Sequence, residues 1–402
     1  VIEADPTMPR TFPIPHQLRC LLPMPSKLLS SAAAAALFAL APAALAPALL
    51  AQGDVVVKKD GARLRGLEVT EFALTGVKAK RGDAAVEVPA HQVLEIQWAD
   101  LPDSFVAARA AMERGDYGNA VQLYGEAANT ATRDLLKLDA QFYQLKAAVA
   151  GVGTDKSAAQ NAADRAKAWV DANGAHWRIP EALLLAGRAQ RLAGATDAAV
   201  ATLTSLDTRT TNEGFAPVWG ARAKFELAQA LLDGGKSVDA RRAFQSASSA
   251  ADNALLQPSA DDAELRSIKL LARVGEGETY IGENDYAKAE SFFASMKRAD
   301  DRTLVAAGHA GEGEAILLNA LASKNAGDLR RAQIALATAA VLDATGDVAA
   351  KANFYLGRCL LELGAEREGD TFKARAQAYF QTVVTHYPAT RWAGLARAEL
   401  AR

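Results

Sequence analysis

The chain has 402 residues, half of them hydrophobic and 23% charged, with a formal net charge of -2. So even a balance gives no global electrostatic reason to expect nucleic acid or an anionic membrane, and the apolar content excludes extensive disorder. The two cysteines, Cys20 and Cys359, do not make a disulfide framework. If the N-terminus is removed, Cys359 stands alone beside Leu356, Leu360 and Leu361, as a small buried apolar residue.

Residues 1–23 carry five scattered prolines and begin at Val1, an unusual first residue, so an over-extended start is expected, with Met24 or Met8 as the true one. From Met24 the order is Lys27, an apolar run over 28–50, and small residues before Gln52. This is the layout of a secretory leader. Cleavage is expected after Ala51, with Ala48 second. Residues 1–51 then read as mis-called start plus signal peptide, and the mature protein as secreted or periplasmic. The run is long enough to stay as a membrane anchor, although Pro42 and Pro47 interrupt it. No cysteine follows it to carry a lipid.

Residues 52–100 change period. Val86 and Val88 flank Glu87, while Leu94, Ile96 and Trp98 alternate with Glu95 and Gln97. Alternation of this kind marks half-buried strands. Asp60-Gly61 and Gly82-Asp83 mark tight turns, and Gly66 fits a bulge. Four or five short strands predict a small all-β module of SH3-like or Sm-like size, marginal alone. Trp98 or the barrel edge should lie against the first helix. Arg81-Gly82-Asp83 reads as a hairpin turn. Lys58, Lys59, Arg63, Arg65, Lys78 and Lys80 read as a solvated face, nearly offset by Asp54, Asp60, Glu68, Glu71 and Glu87.

Beyond Leu101 the period becomes helical. Alanine, the best helix former, is abundant and lets helices approach closely. Gly115-Asp116 turns into a helix carrying Tyr117, Ala120, Tyr124 and Ala127, after an earlier helix with Phe105, Ala108 and Met112. Related sets follow: Gly187 with Ala199, Leu203 and Leu206; Ala228 with Ala240 and Phe244; Gly277 and Tyr280 with Ala289 and Phe293; Ala320 with Ala332 and Leu336; Gly357 with Ala376, Phe380 and Pro388. Residues 134–173 hold two helices with only a degenerate version. Ala365–Lys373 reads as an insert in the last set.

The recurring order of small residue, bulky residue, turn, aromatic or Leu, Ala, bulky residue, Ala resembles the tetratricopeptide repeat. The resemblance covers residues 101–402 and implies a mainly α fold, an α-solenoid of stacked helix hairpins. The spacing is nearer about 40 residues than the family's usual 34 or so, so longer connections are expected. The closing stretch, 379–388, is similar to repeats of bacterial envelope proteins: outer-membrane assembly lipoproteins and periplasmic cell-division coordinators. A last helix with Trp392, Leu395 and Leu400 should cap the stack, with Arg391, Arg397 and Arg402 outward.

No constellation for chemistry emerges. Residues 151–157 place Asp155 where a phosphate loop needs glycine, and residues 234–237 lack its first glycine. No histidine has a second histidine at i+3 or i+4 to share a metal, and His176 beside Trp177 reads as a surface contact. Asp261-Asp262 and Asp300-Asp301 read as polar turns or helix caps. No catalytic residue, cofactor or metal is expected. Binding remains: the resemblance implies a groove for a protein or peptide. Arg109, Arg188, Lys224, Arg273 and Arg358 would suit an acidic or C-terminal carboxylate partner, with ordinary solvated charges as the other reading. The expected role is an exported, non-enzymatic scaffold of the bacterial cell envelope. The alternative is a fixed subunit of an outer-membrane assembly or secretion machine. Contact with a membrane would come only through a retained N-terminal segment or a partner complex.

Overall fold

The structure is a computed structural model describing residues 53–343, 346–365, 370–388 and 390–402. The expected leader, its cleavage sites, both candidate starts and Cys20 lie outside the described residues, as do residues 366–369 of the expected insert.

Alternating valines build five antiparallel strands: β1 (Asp54–Lys58), β2 (Arg63–Ala73), β3 (Gly76–Arg81), β4 (Ala84–Pro89) and β5 (Val93–Gln97). Their order is β4-β3-β2-β1-β5. A 3-10 turn, Ala90–Gln92, joins β4 to β5, giving an SH3-like arrangement. Between the pairings Asp54↔Leu67 and Val56↔Leu64, β2 takes one more step than β1. Gly66, at φ +67°, absorbs it as a bulge. The sheet does not close its own core. Val56, Leu67, Val77 and Ile96 share one buried cluster with Phe105, Tyr124 and Leu136 of the first helices.

The helices are α1 (Asp103–Glu113), α2 (Tyr117–Thr130), α3 (Asp134–Ala150), α4 (Lys156–Ala172), α5 (Ile179–Leu192), α6 (Thr196–Asn212), α7 (Pro217–Asp233) and α8 (Ser237–Ala254). They continue as α9 (Asp262–Gly282), α10 (Tyr286–Met296), α11 (Arg302–Ser323), α12 (Leu329–Leu342), α13 (Gly346–Ala365), α14 (Asp370–His386) and α15 (Arg391–Leu400). Aspartates start several of them: Asp116 accepts from Asn119 N, Asp155 from Ser157 N, Asp285 from Lys288 N and Asp301 from Leu304 N. Gly115, at φ +73°, makes the turn between α1 and α2.

Each helix packs on the next, and successive odd helices also touch, from α3·α5 through to α13·α15. Odd helices therefore line one wall of the stack and even helices the other. A helix pair cannot bury its apolar stripe alone, so neighbours supply the rest. The α3/α4 pair, degenerate in sequence, is a complete hairpin.

The packing register follows small against large. A Cβ added to Gly187 would lie 2.5 Å from Leu203, one on Gly313 2.6 Å from Leu336, and one on Gly357 2.6 Å from Phe380. Gly277 and Gly311 both open onto Phe293, and Gly275 onto Phe244. Ala108, Ala120, Tyr124, Ala199, Ala228, Ala240, Phe244, Ala289, Phe293, Ala332, Ala376 and Phe380 are all buried. Tyr117 and Tyr280 are half-buried, because each starts or ends a helix at the rim of the stack. Pro388 is a correction: it is exposed, beyond the end of α14. The last helix buries Trp392 in the C-terminal core as expected, but Leu395 is exposed and Arg391 turns toward α9.

Candidate partner-binding cleft

A buried polar chain fastens the sheet to the helices. Asp54, 1% exposed, accepts from Val69 N at 2.9 Å and Ala99 N at 3.1 Å. It also takes both ends of the Arg133 guanidinium at 2.9 Å. Arg133 lies over the Trp98 ring at 4.8 Å, and Trp98 Nε1 donates to Asp139 on α3 at 3.0 Å. Asp139 in turn holds Arg178 at 3.1 Å. Asp54 is thus an anchor and not part of a solvated face, and Trp98 reaches α3.

Arg178 is buried between the rings of Phe142, Tyr143 and Trp177. Burial opposes its charge, but Tyr143, Asp139 and Glu181 outweigh that and hold its pKa above the usual value. His176 corrects the surface reading. It is 4% exposed and meets the Phe72 ring of the sheet at 4.5 Å. Its Nδ1 accepts from Arg178 N at 3.0 Å, so the neutral ring carries its proton on Nε2. Burial, then the charge of Arg178, lower its pKa to about 3.

Beyond this root, the free end of the sheet faces the starts of α5, α7 and α9 across a cleft with two chambers. The larger, about 1110 Å³, lies between Lys58, His91 and Gln92 on the sheet side and Phe215, Val218, Ala250 and Leu256 on the helix side. The smaller, about 620 Å³, has Leu74, Pro89 and Leu94 facing Trp177, Trp219 and Arg222. Lys59 and Asp261 line both chambers and meet between them at 2.8 Å. Asp261 stands in the turn at the N-cap position of α9, as expected, but its carboxylate makes no capping bond and reaches the sheet instead.

The wall itself is neutralised in a ladder. Lys146 of α3 meets Glu181 of α5 at 2.7 Å, and Arg222 of α7 pairs with Glu264 of α9. Burial pushes the Glu181 carboxyl up, yet Lys146, Arg178 and Arg222 hold it below its ordinary value. Farther along, Lys351 of α13 meets Glu278 at 3.1 Å and Glu314 at 2.5 Å, Tyr355 donates to Glu314 at 2.5 Å, and Arg391 reaches Glu278 at 3.4 Å. These pairs join α9 to α13 and α15, across one and two intervening odd helices. Gly394 of α15 also faces Thr154, in the turn after α3. The C-terminal inner wall is consequently filled by the protein's own charges, where an open groove was expected.

Three of the five basic residues expected to meet a partner are already paired with acids of this chain. Arg109 pairs with Glu95 at 3.4 Å, Arg188 with Glu226, and Lys224 with Asp207. Arg273 lies over the Phe292 ring at 5.3 Å. Arg358 is half-buried on α13. Only Lys224 lines the cleft, in its larger chamber. Sequence reasoning passed over Phe215, Trp219 and Leu256. Leu256, 79% exposed just before Gln257-Pro258, is the one with a local signal: a leucine in a turn.

Among the described residues no group of His, Cys, Asp or Glu is placed to hold a metal ion, and no helix is long and apolar enough to cross a membrane. The two glycine-rich stretches, 151–155 and 234–236, are turns between helices. Cys359 is buried, donates to Leu329 O at 3.1 Å, and its thiol is pushed up to about 12 by burial.

From α5 to α14, glycines on odd helices meet large side chains on neighbouring even helices. The body is a tetratricopeptide-like α-solenoid. Three solved structures are similar to it. One is a tetratricopeptide repeat protein from Parabacteroides merdae, with TM-score 0.44 and 13% identity, covering 73% of this chain and 98% of that one. The apo form of RapI has TM-score 0.44 and 12% identity, covering 74% and 85%. A Rap protein complexed with competence and sporulation factor has TM-score 0.36 and 12% identity, covering 74% and 96%. The helix pairs themselves, not these matches, carry the fold assignment. No protein-family model matches the sequence, and no curated protein matches it.

Proposed function

We propose that this protein is a non-enzymatic scaffold that holds an extended segment of a partner protein in the cleft between its sheet and its solenoid. The larger chamber, at about 1110 Å³, carries the reading. It exceeds the usual range for small-molecule pockets, roughly 300–1,000 Å³. Its half-buried Phe215 and exposed Leu256 offer apolar anchorage at the mouth. Lys59 and Lys224, already paired with Asp261 and Asp207, leave it without the excess positive charge that nucleic acid requires. The other stretch of inner wall is occupied by the Lys351 cluster, which directs a partner to the cleft.

The test is photo-crosslinking in cells from residues Thr211 and Gln257 at the cleft, with Asp164 on α4 as control. A partner captured from the first two and not the third supports the reading; equal capture from all three, or none, refutes it. The layout of residues 24–51 and the envelope-like tail support export to the cell envelope, which fractionation of the mature protein checks. A second role, as a fixed subunit of an envelope machine, is favoured by Ile334 and Val341. They lie 68% and 78% exposed on α12, two helical turns apart on one face. Stable co-purification with a membrane complex would distinguish it.

A further inference from the structure

The sheet is held very differently at its two ends. At the root, Asp54, Asp139 and Arg178 are 1%, 0% and 3% exposed and tied to Arg133, Trp98 and each other. At the far end, the β1–β2 turn crosses the cleft and meets α9 through the Lys59–Asp261 ion pair, whose side chains are 19% and 15% exposed. Buried, multiply hydrogen-bonded charges separate with difficulty. The far end has one cation on one carboxylate, Lys59 Nζ meeting both Asp261 oxygens at 2.8 and 3.1 Å, and the pair is still within reach of water and salt. That pair stands between the two chambers and lines both, so a chain occupying the whole cleft has to displace it.

We propose that Lys59 and Asp261 form a latch that closes the cleft and opens to admit the partner. This rests on the cleft being the binding site. The open state has compensation built in. Asp261 is the N-cap residue of α9, and its side chain makes no capping bond while it is drawn to Lys59. Released, it can accept from the Ala263 or Glu264 N–H in the first turn of α9, while the Asp262 N–H stays on Ser259 O. Lys59 then needs a new counter-ion, which an acidic side chain of the partner segment supplies. The partner is accordingly an extended peptide segment with a carboxylate placed to replace Asp261.

The latch is read without any partner. Spin labels at Asp60→Cys and Gln257→Cys, in full-length protein with Cys20→Ser, report the distance across the larger chamber; Cys359 is buried and stays unlabelled. The native pair should give one short, narrow distribution. Lys59→Glu and Asp261→Lys should each add a longer population, and the double exchange K59E/D261K should restore the short one. Identical distributions in all four proteins would overturn the latch. A second arm ties Lys59→Cys to Asp261→Cys with a short bismaleimide and repeats the photo-crosslinking. Capture should fall at least about tenfold relative to the same protein left open, and undiminished capture overturns the gating role. If neither form captures a partner, the binding reading fails, while the distances still decide the latch.

Discussion

A Cβ on Gly277 would lie 2.4 Å from the Phe293 ring. That ring is completely buried and is gripped from the other side by Gly311 of the next odd helix. Every methylene added at 277 must push Phe293 into a neighbour that has no space. Gly277→Leu should therefore cost about 1–3 kcal/mol through overpacking, and Phe293→Ala about 3–5 kcal/mol through the cavity it leaves. Urea denaturation measures both, and an unchanged midpoint for Gly277→Leu would break the assigned packing register.

Removing the Asp54 carboxylate leaves two backbone N–H groups and the Arg133 guanidinium without their acceptor. Asp54→Ala should cost about 3 kcal/mol. That is the low end for a buried pair, because Arg133 keeps 28% exposure and can turn to water. Loss of order should begin in the sheet, so hydrogen exchange in β1 and β2 should rise before that in α7 to α15. Uniform exchange across the chain would contradict the anchoring role.

His176 makes stability depend on pH. Its pKa falls from 6.5 to about 3 on folding, so between those values the unfolded chain binds a proton that the native ring refuses. The stability is complete above pH 6.5 and declines as pH falls toward 3. At pH 5 the loss is on the order of 2 kcal/mol. His176→Gln should flatten the profile between pH 7 and pH 5 in denaturant titrations, and an unaltered slope would exclude the ring as its source.

Lys351 compensates two buried carboxylates. Lys351→Met should cost about 3–5 kcal/mol at neutral pH, because Glu278 and Glu314 lose their shared cation. The Glu278 carboxyl is buried, which pushes it up, but Lys351 and Arg391 hold it below its ordinary 4.5. Its contribution is therefore present above that value and lost as pH falls through the lower, folded one. The deficit of Lys351→Met should accordingly shrink in acid. A deficit independent of pH would point to lost packing instead.

The alternation of Val86 and Val88 about Glu87, the offsets of Tyr117, Ala120 and Tyr124, and the glycines at 187, 277 and 357 were all legible in the chain. Each expresses a local period that burial enforces, 2 for a strand and 3.6 for a helix. Arg109, Arg188, Lys224, Arg273 and Arg358 share a helical position, but the same local pattern says nothing about what stands opposite. In the structure each of the first three meets an acid from another element, separated by as many as 38 residues for Arg188 and Glu226.

The sequence by itself determined the β-then-α division, the hairpin stacking and the small-against-large register, because these follow from nearest-neighbour periodicity. Tertiary structure alone decided that Asp54 and His176 are buried, that Lys59 reaches Asp261, and that Lys351 and Arg391 gather on Glu278. These partners lie 202, 73 and 113 residues apart. Whether such groups meet is set by small rotations between successive repeats, summed along the stack, and no short window of residues encodes that sum.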